Sequence, residues 1–161
     1  IATTQAQRVE DFSLQSATTD SQFKLSDHKG QFVALHFLLK TECPYCIRHT
    51  AEYIENAANF PEVVHIFIKP DSNQEIQQWA NKLINTDSDP YPIYRDTNSR
   101  LAKQFDIPNG YNFHGQTVHY PALILLDQSG TELFRYVGKN NRDRYSFEEF
   151  SKTINNLLNT D

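Results

Sequence analysis

The chain has only two cysteines, and they stand three residues apart in Cys43-Pro44-Tyr45-Cys46. On a helix that spacing brings two sulfurs one turn apart and within disulfide reach, which suits reversible thiol–disulfide chemistry. Proline is favoured at the first helical position, where its missing N–H costs nothing, so a helix opening at Pro44 puts Cys43 at or near the N-cap. Unpaired amides and the positive end of the helix dipole stabilise a thiolate there, making Cys43 the expected nucleophile. Cys46, one turn on and better shielded, is the expected resolving thiol. Other uses of the pair are physically weaker. A structural disulfide across so short a loop removes little chain entropy. A closed zinc site needs four ligands, and neither a second Cys-x-x-Cys nor a His-x-x-x-His is present.

The elements around the pair have to deliver it to the edge of a sheet. Phe32 to Leu39 is almost continuously apolar, as in a strand covered on both faces. His36 interrupts that run, either as a core histidine bonded to backbone or as a proton acceptor for the cysteines; Glu42 is a second candidate for proton transfer. The helix after it, about Pro44 to Asn59, carries Ile47, Ala51, Ile54 and Ala58 as its expected buried stripe, with Arg48, Glu52 and Glu55 outward. Val63 to Ile68 reads as a second buried strand. Asp71 or Ser72 then caps a helix to about Leu83, with Ile76, Trp79, Ala80 and Leu83 inward.

This strand–helix alternation predicts a parallel α/β sheet with right-handed crossovers. Val9 to Leu14 and Gln22 to Leu25 alternate and are joined by turn residues, predicting a β-hairpin ahead of the central strands. Ile93 to Asp96 is a short extended piece before a helix from Thr97 to Phe105. Ile107 to Gln116 reads as an exposed aromatic loop. Pro121 heads an apolar run to Asp127, Asp127-Gln128-Ser129-Gly130 is a turn, and Thr131 to Gly138 alternates as an antiparallel return strand. Phe147, Phe150, Ile154, Leu157 and Leu158 form one stripe of a closing amphipathic helix.

With 161 residues, 39% of them hydrophobic, and abundant Phe and Tyr, the chain suits one globular domain over 9–161 behind an extended tail, 1–8. A net charge of −5 with interspersed signs offers no basic face for nucleic acid. No apolar run is long enough to span a bilayer. The opening run Ile1-Ala2-Thr3-Thr4-Gln5-Ala6-Gln7, without Met, reads as what remains after export-signal cleavage or as a trimmed chain. A periplasmic or otherwise exported location is the expectation, a cytoplasmic one the alternative.

Together the strand before Cys-Pro-Tyr-Cys, the strand–helix insertion mid-chain and the stretch YPALILLDQSGTELFRYVG (120–138) resemble the thioredoxin fold. More narrowly, they resemble its redoxin branch, the alkyl hydroperoxide reductase and thiol-specific antioxidant superfamily, which includes peroxiredoxins and membrane-associated thiol reductases. The likeness covers about Val9 to Leu158. It implies a central mixed sheet flanked by helices, with the N-terminal hairpin and the insertion. It further implies a cis Tyr120–Pro121 bond beside the cysteines, with Pro44, Tyr45, Tyr120 and Pro121 forming the substrate surface. No cofactor is implied.

Aligning Cys46 with the peroxidatic cysteine of peroxiredoxins puts Leu39 where they have proline and Cys43 where they have threonine. His119 falls near the position of their peroxide-polarising arginine. Phe37 replaces the acidic residue that thioredoxins bury. These departures favour a thiol–disulfide oxidoreductase, acting on a protein or small-molecule disulfide with a thiol electron donor. A peroxiredoxin-like peroxidase using Cys46 stands second, and a copper-binding module using Cys43, Cys46 and His119 third.

Overall fold

A computed structural model describes residues 8–40, 44–83, 91–113 and 115–159. Six apolar residues, Phe32–Phe37, form β3, and every one of them is buried because the strand is sandwiched between helical layers. It pairs in parallel with β4 (Val63–Lys69), in register Ala34 to His65 and His36 to Phe67. β4 pairs in parallel with β5 (Ile93–Arg95). On the other side β3 meets β8 (Ala122–Leu126) antiparallel, and β8 meets β9 (Glu132–Val137) antiparallel. The hairpin β1 (Ser13–Ser16) and β2 (Gln22–Lys24) adds antiparallel to β5. The seven-stranded mixed sheet thus runs β2-β1-β5-β4-β3-β8-β9. The expected tail ends at Arg8, which bridges Thr131; residues 1–7 lie outside the described residues.

Strand alternation divides the core in two. Ala34, His65 and Phe67 face one layer with α1 (Pro44–Asn56), α2 (Asn73–Ala80) and α4 (Phe147–Leu158). Val33, Leu35, Phe37, Ile66 and Ile68 face the other with α3 (Arg100–Gln104) and the hairpin. Ser72, one of the two expected caps, begins α2 with a full capping box to Glu75, and Ser146 begins α4 in the same way with Glu149. Burial of Phe147, Phe150 and Ile154, at about 1.5–3 kcal/mol each, holds α4 against the sheet.

Three sequence expectations need correction. Residues 107–116 are not a loop throughout: Asn109–Phe113 (β6) and Gln116–His119 (β7) form a separate two-stranded ribbon, because the aromatic and polar residues alternate across it. The helix α1 leaves its expected stripe only partly covered: Ile47 and Ile54 are half-buried against the core, Ala51 is half-buried, and Ala58 is exposed beyond the helix end. Its buried face is Cys46, His49, Thr50 and Tyr53, rotated from the apolar stripe because ring nitrogens and a phenol find partners in the core. Finally, Tyr120–Pro121 is not cis. The chain runs extended from β7 to β8, anchored by Tyr120 N–H to Pro108 O (2.9 Å) and Gly138 N–H to Pro121 O (2.8 Å), and the trans bond, lower in energy even before proline, fits there.

Candidate active site

Pro44 opens α1 at the C-terminal edge of β3 and β4, as the Pro-at-N1 reading requires. Cys43 and Glu42 lie outside the described residues. Cys46 is fully buried and disulfide-bonded, and Cys43 is the one other cysteine in the sequence. Two donors reach the Cys46 sulfur: the backbone N–H of Leu39 at 3.4 Å and Nη2 of Arg144 at 3.0 Å.

Arg144 comes from the segment between β9 and α4, two residues before the Ser146 cap. The segment is tightly bound. The Asn140 carboxamide accepts from the N–H groups of Arg142 (2.9 Å) and Asp143 (3.1 Å), and the Tyr136 hydroxyl bonds to the Asp143 carboxylate. Arg144 itself donates Nε to Asn141 O (2.8 Å) and Nη2 to Asn141 Oδ1 (2.7 Å). Gly138 is required here because a Cβ would collide with the Asp143 carbonyl and lie 2.9 Å from Pro121 Cγ. Burial lowers the Arg144 pKa to about 10, which still leaves the guanidinium charged at neutral pH. A cation held at hydrogen-bond distance from sulfur is the arrangement that stabilises a thiolate.

His49, one helical turn beyond Cys46, belongs to a group of three buried histidines. His36 is bonded neither to backbone nor to a cysteine. Its Nδ1 meets His49 Nε2 at 2.9 Å and its Nε2 meets His65 Nδ1 at 3.0 Å. Tyr53 and Phe67 pack on the His36 ring at 4.6 and 4.5 Å. Burial first, then neighbouring positive charge, pushes His36 well below its usual range and His49 to about 3. Burial alone takes His65 to about 4. All three rings are therefore neutral at pH 7.

Arg144 and His49 line one narrow crevice, together with Pro121, Leu38 and Tyr136. Among the residues expected at the substrate surface, Pro121 is buried on this crevice and Pro44 is exposed. The Tyr45 hydroxyl accepts from Arg142 Nε at 2.6 Å, with Arg48 and Arg142 each 5.6 Å from its ring centre. Tyr120 packs on Tyr111 at 5.3 Å, and the Tyr111 hydroxyl accepts from Asn141 N–H. His119 is buried, and its Nδ1 donates to Tyr120 O at 2.8 Å. The copper-type ligand set needs Cys43, so it lies partly outside the described residues; within them no group of three His, Cys, Asp or Glu side chains could hold a metal.

A further basic residue was not anticipated. Lys69, at the end of β4, is fully buried; Nζ donates to Leu39 O at 2.6 Å, lies 3.7 Å from Asp71 and sits 4.4 Å over the Trp79 ring. It thereby ties the backbone that donates to Cys46.

Residues 6–131 match the model of the AhpC/TSA family. The chain belongs to that family. Within it, 29% identity over 86 residues is shared with peroxiredoxin Bcp of Bacillus subtilis, 52% of each protein. The match thus spans about half the length of that curated relative. Among solved structures, peroxidoxin BcpB of Mycobacterium tuberculosis superposes with a TM-score of 0.72 at 18% identity over 97% of both chains. The exposed lipoprotein thioredoxin Etrx1 of Streptococcus pneumoniae reaches 0.70 at 19%, over 92% of this chain and 100% of that one. At such identities the structural likeness shows the thioredoxin-like fold, and it does so equally for a protein named as a peroxidoxin and one named as a thioredoxin. AhpC/TSA membership covers β1 to β8; Arg144 lies beyond the matched stretch.

Sequence reasoning missed Arg144 because nothing separates it from Arg142 and the other charged residues of its segment. The histidine group did leave a signal. His36 and His65 each interrupt an otherwise apolar strand, and His49 follows Cys46 by one helical turn.

Proposed function

We propose that the chain is a peroxiredoxin-type thiol peroxidase in which Cys46 is the peroxidatic residue and Cys43 resolves. This exchanges the roles expected from the helix N-cap alone. The contact of Arg144 Nη2 with Cys46 Sγ at 3.0 Å carries the reading. It supplies, from a different element, the cation that the residue near His119 does not provide. Family membership supports the same assignment.

In the reduced protein the Cys46 thiolate attacks the terminal peroxide oxygen, and the O–O bond breaks toward the departing alcohol. Arg144 and the Leu39 N–H face the charge that shifts during this step. Cys46 becomes a sulfenic acid, the Cys43 thiol displaces water from it, and an external thiol reduces the resulting disulfide. The complete burial of Cys46 suits a small hydroperoxide better than a protein disulfide.

The test is hydrogen peroxide consumption by single cysteine-to-serine variants. Cys43→Ser is expected to consume one peroxide and to carry a trappable sulfenate at Cys46, while Cys46→Ser is expected to be inert. If Cys46→Ser instead traps mixed disulfides through Cys43 while the wild type ignores peroxide, the protein is a thiol–disulfide oxidoreductase.

A further inference from the structure

We infer that His49, His36 and His65 form a proton relay for Cys46, taking up the thiol proton at His49 and returning it to the departing alkoxide. The inference rests on the peroxidase reading for its second half only. The three rings are joined end to end: His49 Nε2 to His36 Nδ1 at 2.9 Å, and His36 Nε2 to His65 Nδ1 at 3.0 Å. A neutral imidazole donates through one nitrogen and accepts through the other, so the row has two tautomeric states. In one, every ring is protonated at Nε2 and His49 Nδ1 is a bare acceptor. In the other, every ring is protonated at Nδ1 and the bare atom is His65 Nε2. The two terminal atoms, His49 Nδ1 and His65 Nε2, are buried and make no hydrogen bond. Structural histidines in a core ordinarily have both ring nitrogens satisfied. Here the open ends are the two a relay requires.

The row starts one helical turn from the sulfur. Cys46 and His49 are three residues apart on the buried face of α1, neighbours on one helix side. Arg144 touches Cys46 and shares the crevice with His49. The surroundings set the direction of transfer. From α1, Tyr53 packs on all three rings, its hydroxyl donating to Tyr145 O and Ser146 O; burial raises its pKa and keeps it neutral. Phe67 of β4 and Phe150 of α4 are apolar. Among the described residues, Arg144 is the charged side chain that acts on His36 and His49, while at His65 burial alone acts. A proton arriving at His49 is therefore driven away from the guanidinium, through His36, toward His65. While sulfur is a thiol the Arg144 charge opposes that proton; a thiolate cancels the charge, so thiolate formation and uptake by the row reinforce each other.

The step balances. The Cys46 thiol gives its proton to the row and becomes a thiolate. The thiolate donates an electron pair to the terminal peroxide oxygen, whose O–O bond breaks, and that oxygen stays on sulfur as the sulfenic acid with its own hydrogen. The bond pair leaves on the other oxygen, which takes the proton back from the row as the alcohol.

Two measurements separate the relay from the peroxidase reading. In the Cys43→Ser chain, alkylation of Cys46 by iodoacetamide is followed against pH. A relay gives a plateau of reactivity below the main thiol midpoint, from the thiolate paired with a protonated row, and His65→Gln reduces that plateau roughly tenfold although residue 65 touches no sulfur. With native cysteines, oxidation by hydrogen peroxide in H2O–D2O mixtures is expected to show a curved dependence on deuterium fraction, which His65→Gln and His36→Gln make linear. If alkylation follows a single titration that His49→Gln, His36→Gln and His65→Gln leave in place, the relay is wrong. If the plateau is present while peroxide is ignored, the relay stands and the peroxidase reading falls. Should His36→Gln not fold, the terminal variants decide.

Discussion

Arg144 and Cys46 are 98 residues apart in sequence, yet Nη2 of one lies 3.0 Å from the sulfur of the other. The segment bearing the arginine is fixed by its own turn, by the Ser146 capping box and by the docking of α4, so the cation is in place before any substrate arrives. Preorganised charge of this kind is the largest single source of rate in many enzymes.

Replacing the cation tests its weight. Arg144→Gln is expected to slow Cys46 oxidation by hydrogen peroxide on the order of 10²–10³-fold and to raise the pH midpoint for alkylation of Cys46. Arg144→Lys keeps the charge without the planar fork and should fall between. A wild-type rate in the Gln variant would remove the arginine from the mechanism.

Gly138→Ala tests whether the supporting segment matters. Its Cβ would collide with the Asp143 carbonyl and press on Pro121, so either the segment shifts, taking Arg144 from sulfur, or the fold is strained by several kcal/mol. Both a lower urea midpoint and a slower peroxide reaction are expected; a variant unchanged in both would show that the segment tolerates displacement.

Stability should fall on acidification, with a definite sign. His36, His49 and His65 sit below the ordinary value of 6.5, His49 at about 3 and His65 at about 4. Between pH 6.5 and about 4 the unfolded chain therefore binds more protons than the folded one, so stability is lost as pH drops through 6.5 and continues to be lost until the folded rings protonate. Each ring contributes a slope approaching about 1.4 kcal/mol per pH unit. Urea unfolding across this range should show the decline, and His65→Gln should make it shallower.

Lys69 offers an optical probe. Burial brings its pKa down to about 8 despite the Asp71 carboxylate, and its ammonium lies 4.4 Å over Trp79, the only tryptophan in the chain. Fluorescence of the folded protein is expected to titrate with a midpoint near 8 and to lose that transition in Lys69→Met. Because the folded pKa is depressed, neutral Lys69 is favoured in the fold, and this group adds stability as pH rises from about 8 toward 10.5.

Most strands and helices were legible in the sequence, as was the cysteine pair as a candidate for redox chemistry. Apolar runs at 32–39 and 63–68 read as buried strands, Pro44 as a helix start, and Asp71 or Ser72 as the next cap, and the structure has β3, β4, α1 and the Ser72 cap there. These are local signals, set by periodicity and by which backbone groups a side chain can cap. What tertiary structure alone decided is which polar groups meet. His36, His49 and His65 come from three elements and join because the parallel register sets His36 opposite Phe67, two positions from His65 on the same face, and α1 turns a polar face inward. Arg144 reaches Cys46 from the segment between β9 and α4, 98 residues away in sequence, and Tyr120–Pro121 is not cis. Side-chain pairing across such distances depends on packing that no local pattern encodes, so the role proposed for Cys46 follows from its neighbours in space, not from its spacing in the chain.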